Sequence, residues 1–116
     1  MTPRSRPATT GQIPAHVMDK LERRLHAHAK AKWPACKTVA VRNRGAYVYV
    51  DVQGQEDEQP EPACRLRYLG DVDSWEFAYF TWSREKYEPS VLDSGLPYGT
   101  PEDCFDAAVF PMFGAS

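Results

Sequence analysis

Long hydrophobic runs are missing from this sequence. No stretch approaches the roughly 20 apolar residues that cross a bilayer, so no membrane partner is expected. The first residues carry Arg4 and Arg6 but no apolar segment behind them, which does not match a secretory signal and points to the cytoplasm. Cysteine is also scarce. Cys36, Cys64 and Cys104 are odd in number, far apart and contain no C-x-x-C pair. Such a set reads as reduced thiols rather than a disulfide framework, with a Cys36–Cys64 bridge left open as an alternative.

Catalytic signatures are lacking too. The chain holds no G-x-S-x-G elbow, no phosphate-binding loop and no kinase or hydrolase motif. Three histidines are present, but His26 and His28 lie about 200° apart around a helix. They cannot share one ion from one face, and no cysteine stands at ligand spacing to them. Asp71 and Asp73 flank a turn, where acids serve the backbone. No catalytic residue, no metal and no cofactor is implied.

What is present is a chain of ordinary globular composition. It has 116 residues, 42% apolar and 26% charged, enough for one self-sufficient core. Its net charge of −2 hides a division. Residues 1–44 hold ten Lys or Arg and two acids, whereas residues 45–116 hold four and fourteen. Halves of opposite sign imply either a surface that meets an anionic partner or acids and bases that neutralise each other across the fold.

Residues 1–12 are polar and broken by Pro3, Pro7 and Gly11, so a disordered basic tail is expected ahead of a single domain over 13–116. Met18, Leu21, Leu25 and Ala29 form an apolar stripe at helical spacing, widened by Val17, between Pro14 and Trp33-Pro34. His28 borders that stripe as a packing residue. Two strands, 38–42 and 46–52, flank the Asn43-Arg44-Gly45 turn and share a valine face. An acidic loop over 53–62 follows, then strands over 63–69 and 75–82. The second of these is apolar on both faces and is expected to be central or covered. Residues 83–98 read as an irregular connection with room for a further short strand. Thr100-Pro101-Glu102-Asp103 opens a last helix, with Pro111 limiting its length. The expected fold is α+β: a four-stranded antiparallel sheet in α-β-β-β-β-α order, with two helices packed on it.

Two surfaces suggest binding. Tyr47, Tyr49, Arg65, Arg67, Trp75, Phe77 and Tyr79 would form an aromatic-arginine face if the strand register brings them together and the 83–98 connection leaves them uncovered. His16, Lys20, Arg23 and Lys30 project from the first helix opposite its apolar stripe, with Arg4 and Arg6 on the arm upstream.

The stretch from Leu66 to Ala108 combines a Trp/Phe-rich strand, a Tyr-Glu-Pro segment, Gly95-Leu96-Pro97-Tyr98-Gly99 and a Thr-Pro-Glu helix opening. It resembles small bacterial proteins of unknown function, chiefly actinobacterial ones. The resemblance implies no activity and no site residue. The expectation is therefore a non-catalytic protein–protein interaction module, self-association included, working through the aromatic-arginine face. The alternative is nucleic-acid binding through the basic arm and first helix.

Overall fold

The computed structural model describes residues 13–114; the tail and its Arg4 and Arg6 lie outside the described residues. The first helix, α1, spans Ala15–Lys32. It buries Val17, Leu21, Leu25 and Ala29, the stripe its spacing predicts. Lys30 and Lys32 stand in its last turn, where cations complement the exposed carbonyls. Trp33 then leaves the helical conformation, as a residue before proline must.

The sheet is larger than expected. Five strands run in chain order, β1 (Cys36–Arg44), β2 (Tyr47–Gly54), β3 (Glu61–Asp71), β4 (Ser74–Thr81) and β5 (Lys86–Pro89), each antiparallel to the next. A two-residue strand, β6 (Tyr98–Gly99), pairs with the other end of β4. The expectation of four strands is thus corrected to six. β5 lies in the 83–98 connection, which has room for a further short strand, and β6 straddles its end. A tight reversal with Glu85 at φ 53° sends the chain back as β5, and neither new strand is long enough to show alternation. β4 is interior, paired to β3 on one edge and to β5 and β6 on the other.

Thr100 caps the last helix, α2 (Pro101–Phe113), its hydroxyl accepting from the Asp103 amide at 3.2 Å. Pro111 lies inside the last turn, and the helix ends two residues beyond it. There the lost N–H costs one bond to a carbonyl four residues back.

Both helices cover the same side of the sheet. The core joins the α1 stripe to Val48, Val50 and Val52 of β2, Cys64 and Leu66 of β3, Trp75 and Phe77 of β4, and Cys104, Phe105, Ala108 and Val109 of α2. The Trp75 indole is fully buried and donates to the Val72 carbonyl at 2.7 Å. Leu92, from the segment between β5 and β6, enters this core as well. That segment therefore packs beside the helices and leaves the opposite side of the sheet without a covering layer. No described helix is long and apolar enough to cross a membrane.

Candidate interaction surface

Strand register decides what the uncovered face carries. Tyr47 stands opposite Arg67 and Tyr49 opposite Arg65. Arg65 in turn faces Ala78, and Arg67 faces Glu76. These residues share the open side. Trp75, Phe77 and Tyr79 instead oppose Tyr68, Leu66 and Cys64, the apolar set of β3. They belong to the helix side, where Trp75 and Phe77 are core and Tyr79 is exposed at the margin. The expected seven-residue face thus divides. Tyr47, Tyr49, Arg65 and Arg67 are brought together, and the three β4 residues are not among them.

Other side chains take their place. Phe80 and Tyr87 face each other across β4 and β5 with ring centroids 5.0 Å apart. Trp82 packs edge-on against Phe80 at 4.9 Å and remains 59% exposed, one of the most exposed large apolar residues described. Tyr87 reaches Tyr49 at 5.3 Å. Arg42 and Arg44 join from β1, opposite Tyr49 and Tyr47. Alternation from Glu76 and Ala78 puts Phe80 on the same side as Arg65, but Tyr87 sits in a strand too short to signal itself.

The arginines are organised by the rings. The Arg65 guanidinium lies 4.6 Å from the Tyr47 ring centre and 5.7 Å from that of Tyr87. Arg42 lies 5.3 Å from the Tyr49 ring. Such contacts are worth about 0.5–1 kcal/mol each at exposed sites, enough to hold a long side chain in one place. Arg67 is bound by Glu76 at 2.7 Å, which holds its guanidinium charged. Arg42 pairs with Asp51 at 3.5 Å. Arg44 and Arg65 have no carboxylate partner among the described residues. Burial pushes the Tyr87 phenol above its ordinary range and nearby Asp51 adds to the effect, so the ring keeps its proton. The Asp51 Oδ1 atom is itself buried without a hydrogen-bond partner.

The first helix is arranged differently. Arg24, His28 and Lys32 follow one another at i, i+4 and i+8 and meet Glu102 and Asp106 of α2. Arg24 donates to both Glu102 oxygens at 2.8 and 2.7 Å and to Asp73 at 2.7 Å. Asp106 accepts from His28 at 2.7 Å, the Trp33 indole at 2.8 Å and Lys32 at 3.0 Å. The hydrogen bonds from Arg24 hold the Glu102 carboxyl below the ordinary range. Burial pushes Asp106 up, but its donors outweigh that and hold it low. Part of the basic half is therefore neutralised by the acidic half, as one of the two sequence readings expects. Of the outward set, His16, Lys20, Arg23 and Lys30 are exposed. Arg23 pairs with Asp19 at 3.0 Å. His26 does not join that row; it bonds the Val39 carbonyl of the edge strand β1 at 2.8 Å.

An open groove of about 730 Å³ lies on the helix side, between Trp33, Phe77, Leu92, Asp106 and Phe110. Asp106 and Lys32, which line it, already satisfy each other. All three cysteines are free and buried. Burial pushes their thiols up, Cys104 to about 12, which leaves them protonated packing groups rather than nucleophiles.

No family model, no curated protein and no solved structure matches this chain.

Proposed function

We propose that this chain is a protein-association module whose contact surface is the open face of the sheet. The observation that carries the proposal is Arg65, held between Tyr47 and Tyr87 with no carboxylate partner among the described residues, on a face that also carries Phe80 and, packed against it, the exposed Trp82. Aromatic rings and arginines are the residues that concentrate binding energy at protein interfaces. A guanidinium fixed in advance loses little freedom on binding. Base stacking on Tyr47 and Tyr49 is less well supported, because Arg65 and Arg42 already approach their rings.

Nucleic-acid binding by α1 is the competing reading, resting on Lys20, Lys30 and His16 together with Arg4 and Arg6. It is the weaker one, because Arg24 and Lys32 on the same helix are engaged by α2.

Site-specific photo-crosslinking in cells separates the two. A p-benzoylphenylalanine in place of Trp82 is expected to capture protein, identified by mass spectrometry. The same group in place of Lys20 is expected to capture none. Protein captured only from position 20, or nucleic acid captured there and nothing from position 82, would overturn the proposal.

A further inference from the structure

Charge is not spread evenly over the open face. At the end where β1 turns into β2 lie Arg42, Arg44, Arg65 and Arg67, with the acids Glu76, opposite Arg67, and Asp71, opposite Ser74. Asp51 stands mid-face, paired with Arg42, and beyond it lies the β2–β3 loop with Glu56 and Glu58, both exposed. Arg84, at that end, is already paired with Glu88 at 2.9 Å. Phe80 and Tyr87 lie between the two ends. The face is thus basic at one end of its strands, acidic at the other and aromatic in the middle.

A surface of that kind is complementary to itself. We infer that the partner is a second copy of this chain, docked face to face about a two-fold axis that lies between the sheets and runs across the strands near Asp51. This rests on the reading of the open face as the contact surface. Such an axis reverses the strand direction between copies, so the Arg44 end of each lies over the Glu56–Glu58 end of the other. An axis along the strands would instead stack the arginine ends on each other, at a cost in like-charge repulsion. The chosen axis also brings Phe80 and Tyr87 of the two copies together at the centre, where interface aromatics contribute most. Contacts made twice by the same patch are what a closed dimer requires.

Size sets the strength. Five strands spaced about 4.8 Å and about six residues long cover roughly 480 Å² per copy. About 1,000 Å² in total is the low end for a specific interface, so the dimer is reversible and weak, of order micromolar or weaker. With its contacts between exposed charges, it loosens as salt rises.

Sedimentation velocity on the full chain tests this with two charge-reversed variants. One is Arg44→Glu with Arg65→Glu, the other Glu56→Arg with Glu58→Arg. Each homodimer would set like charges against each other at both ends. Mixing the variants restores opposite charges at both ends of the heterodimer. The wild type is expected to move from monomer towards dimer over about 10 μM to 1 mM. Each variant is expected to stay monomeric at least tenfold further up the range, and the equimolar mixture to associate again. Arg65 is half-buried, so Arg44→Glu alone, paired with Glu58→Arg, repeats the exchange if the double variant unfolds. A wild type that stays monomeric throughout, or folded variants that fail to associate on mixing, would overturn the second-copy proposal. A monomeric wild type that still crosslinks to another protein through position 82 removes the dimer and leaves the open face as a contact surface. A monomer with no crosslink there removes both.

Discussion

Trp75→Ala is expected to remove about 3–5 kcal/mol of stability, the range for truncating a fully buried tryptophan. Every part of the Trp75 environment contributes. Its ring is completely buried between sheet and helices, packs at 5.2 Å against Tyr68 and donates to the Val72 carbonyl at the β3–β4 turn. The Cys104 thiol also reaches the Trp75 carbonyl at 3.8 Å, tying α2 to β4 at this point. Removing the indole leaves a cavity at the junction of three elements, and surrounding side chains collapse into it only in part. For a domain of this size each 1 kcal/mol moves Tm by about 4–8 °C, so a fall of at least 12 °C is expected in a thermal melt. Trp82→Ala is the matched control. It removes the same ring seven positions on, from a site with 59% exposure, and is expected to shift stability by less than about 0.5 kcal/mol. Equal losses from the two substitutions would show that Trp82 is part of the fold and not of a contact surface.

The second large effect is acid sensitivity centred on α2. Asp106→Ala would strip three donors of their acceptor, the buried Trp33 indole among them, at about 2 kcal/mol. The same geometry fixes a pH dependence. Asp106 and Glu102 are both held below their ordinary values in the folded chain. Their contribution is therefore fully present well above the unfolded carboxyl pKa of about 4. It is lost as pH falls from about 5 through the lower folded values, because the unfolded chain takes up protons first. Urea melts between pH 7 and pH 3 are expected to show a steep loss of stability at the acid end. In the Asp106→Asn, Glu102→Gln double variant the curve starts lower and that loss is smaller. An unchanged acid slope in the double variant would place the sensitivity elsewhere.

How much of this was legible in the sequence follows from the range of each signal. The α1 stripe, the valine face of the β1–β2 hairpin and the capped start of α2 are local patterns, and all three are present as expected. What failed depends on pairing between segments. Trp75, Phe77 and Tyr79 alternate correctly, but which side they occupy is set by the short reversal after β3, which puts them opposite Leu66 and not opposite Arg65. The signal was available, since Leu66 and Arg65 already divide β3 into an apolar and a charged side. β5 falls where the 83–98 connection leaves room for a further short strand, but at four and two residues β5 and β6 are too short to be placed by alternation. The Arg24-His28-Lys32 row and the Glu102-Asp106 pair are each visible as helical spacings. Only the packing of α1 beside α2 shows that they meet.

The three tryptophans offer the most direct test of the central claim, that the open sheet face is where this chain associates. Trp33 and Trp75 are buried on the helix side, with indole N–H groups bound to Asp106 and to the Val72 carbonyl, whereas Trp82 stands exposed beside the open face. Their indole resonances, recorded by ¹H–¹⁵N NMR over a concentration series, report on the two sides of the sheet separately. Association through the open face moves and broadens the Trp82 signal as concentration rises, while those of Trp33 and Trp75 stay in place. Movement confined to Trp33, beside the helix-side groove, with Trp82 unchanged would contradict it.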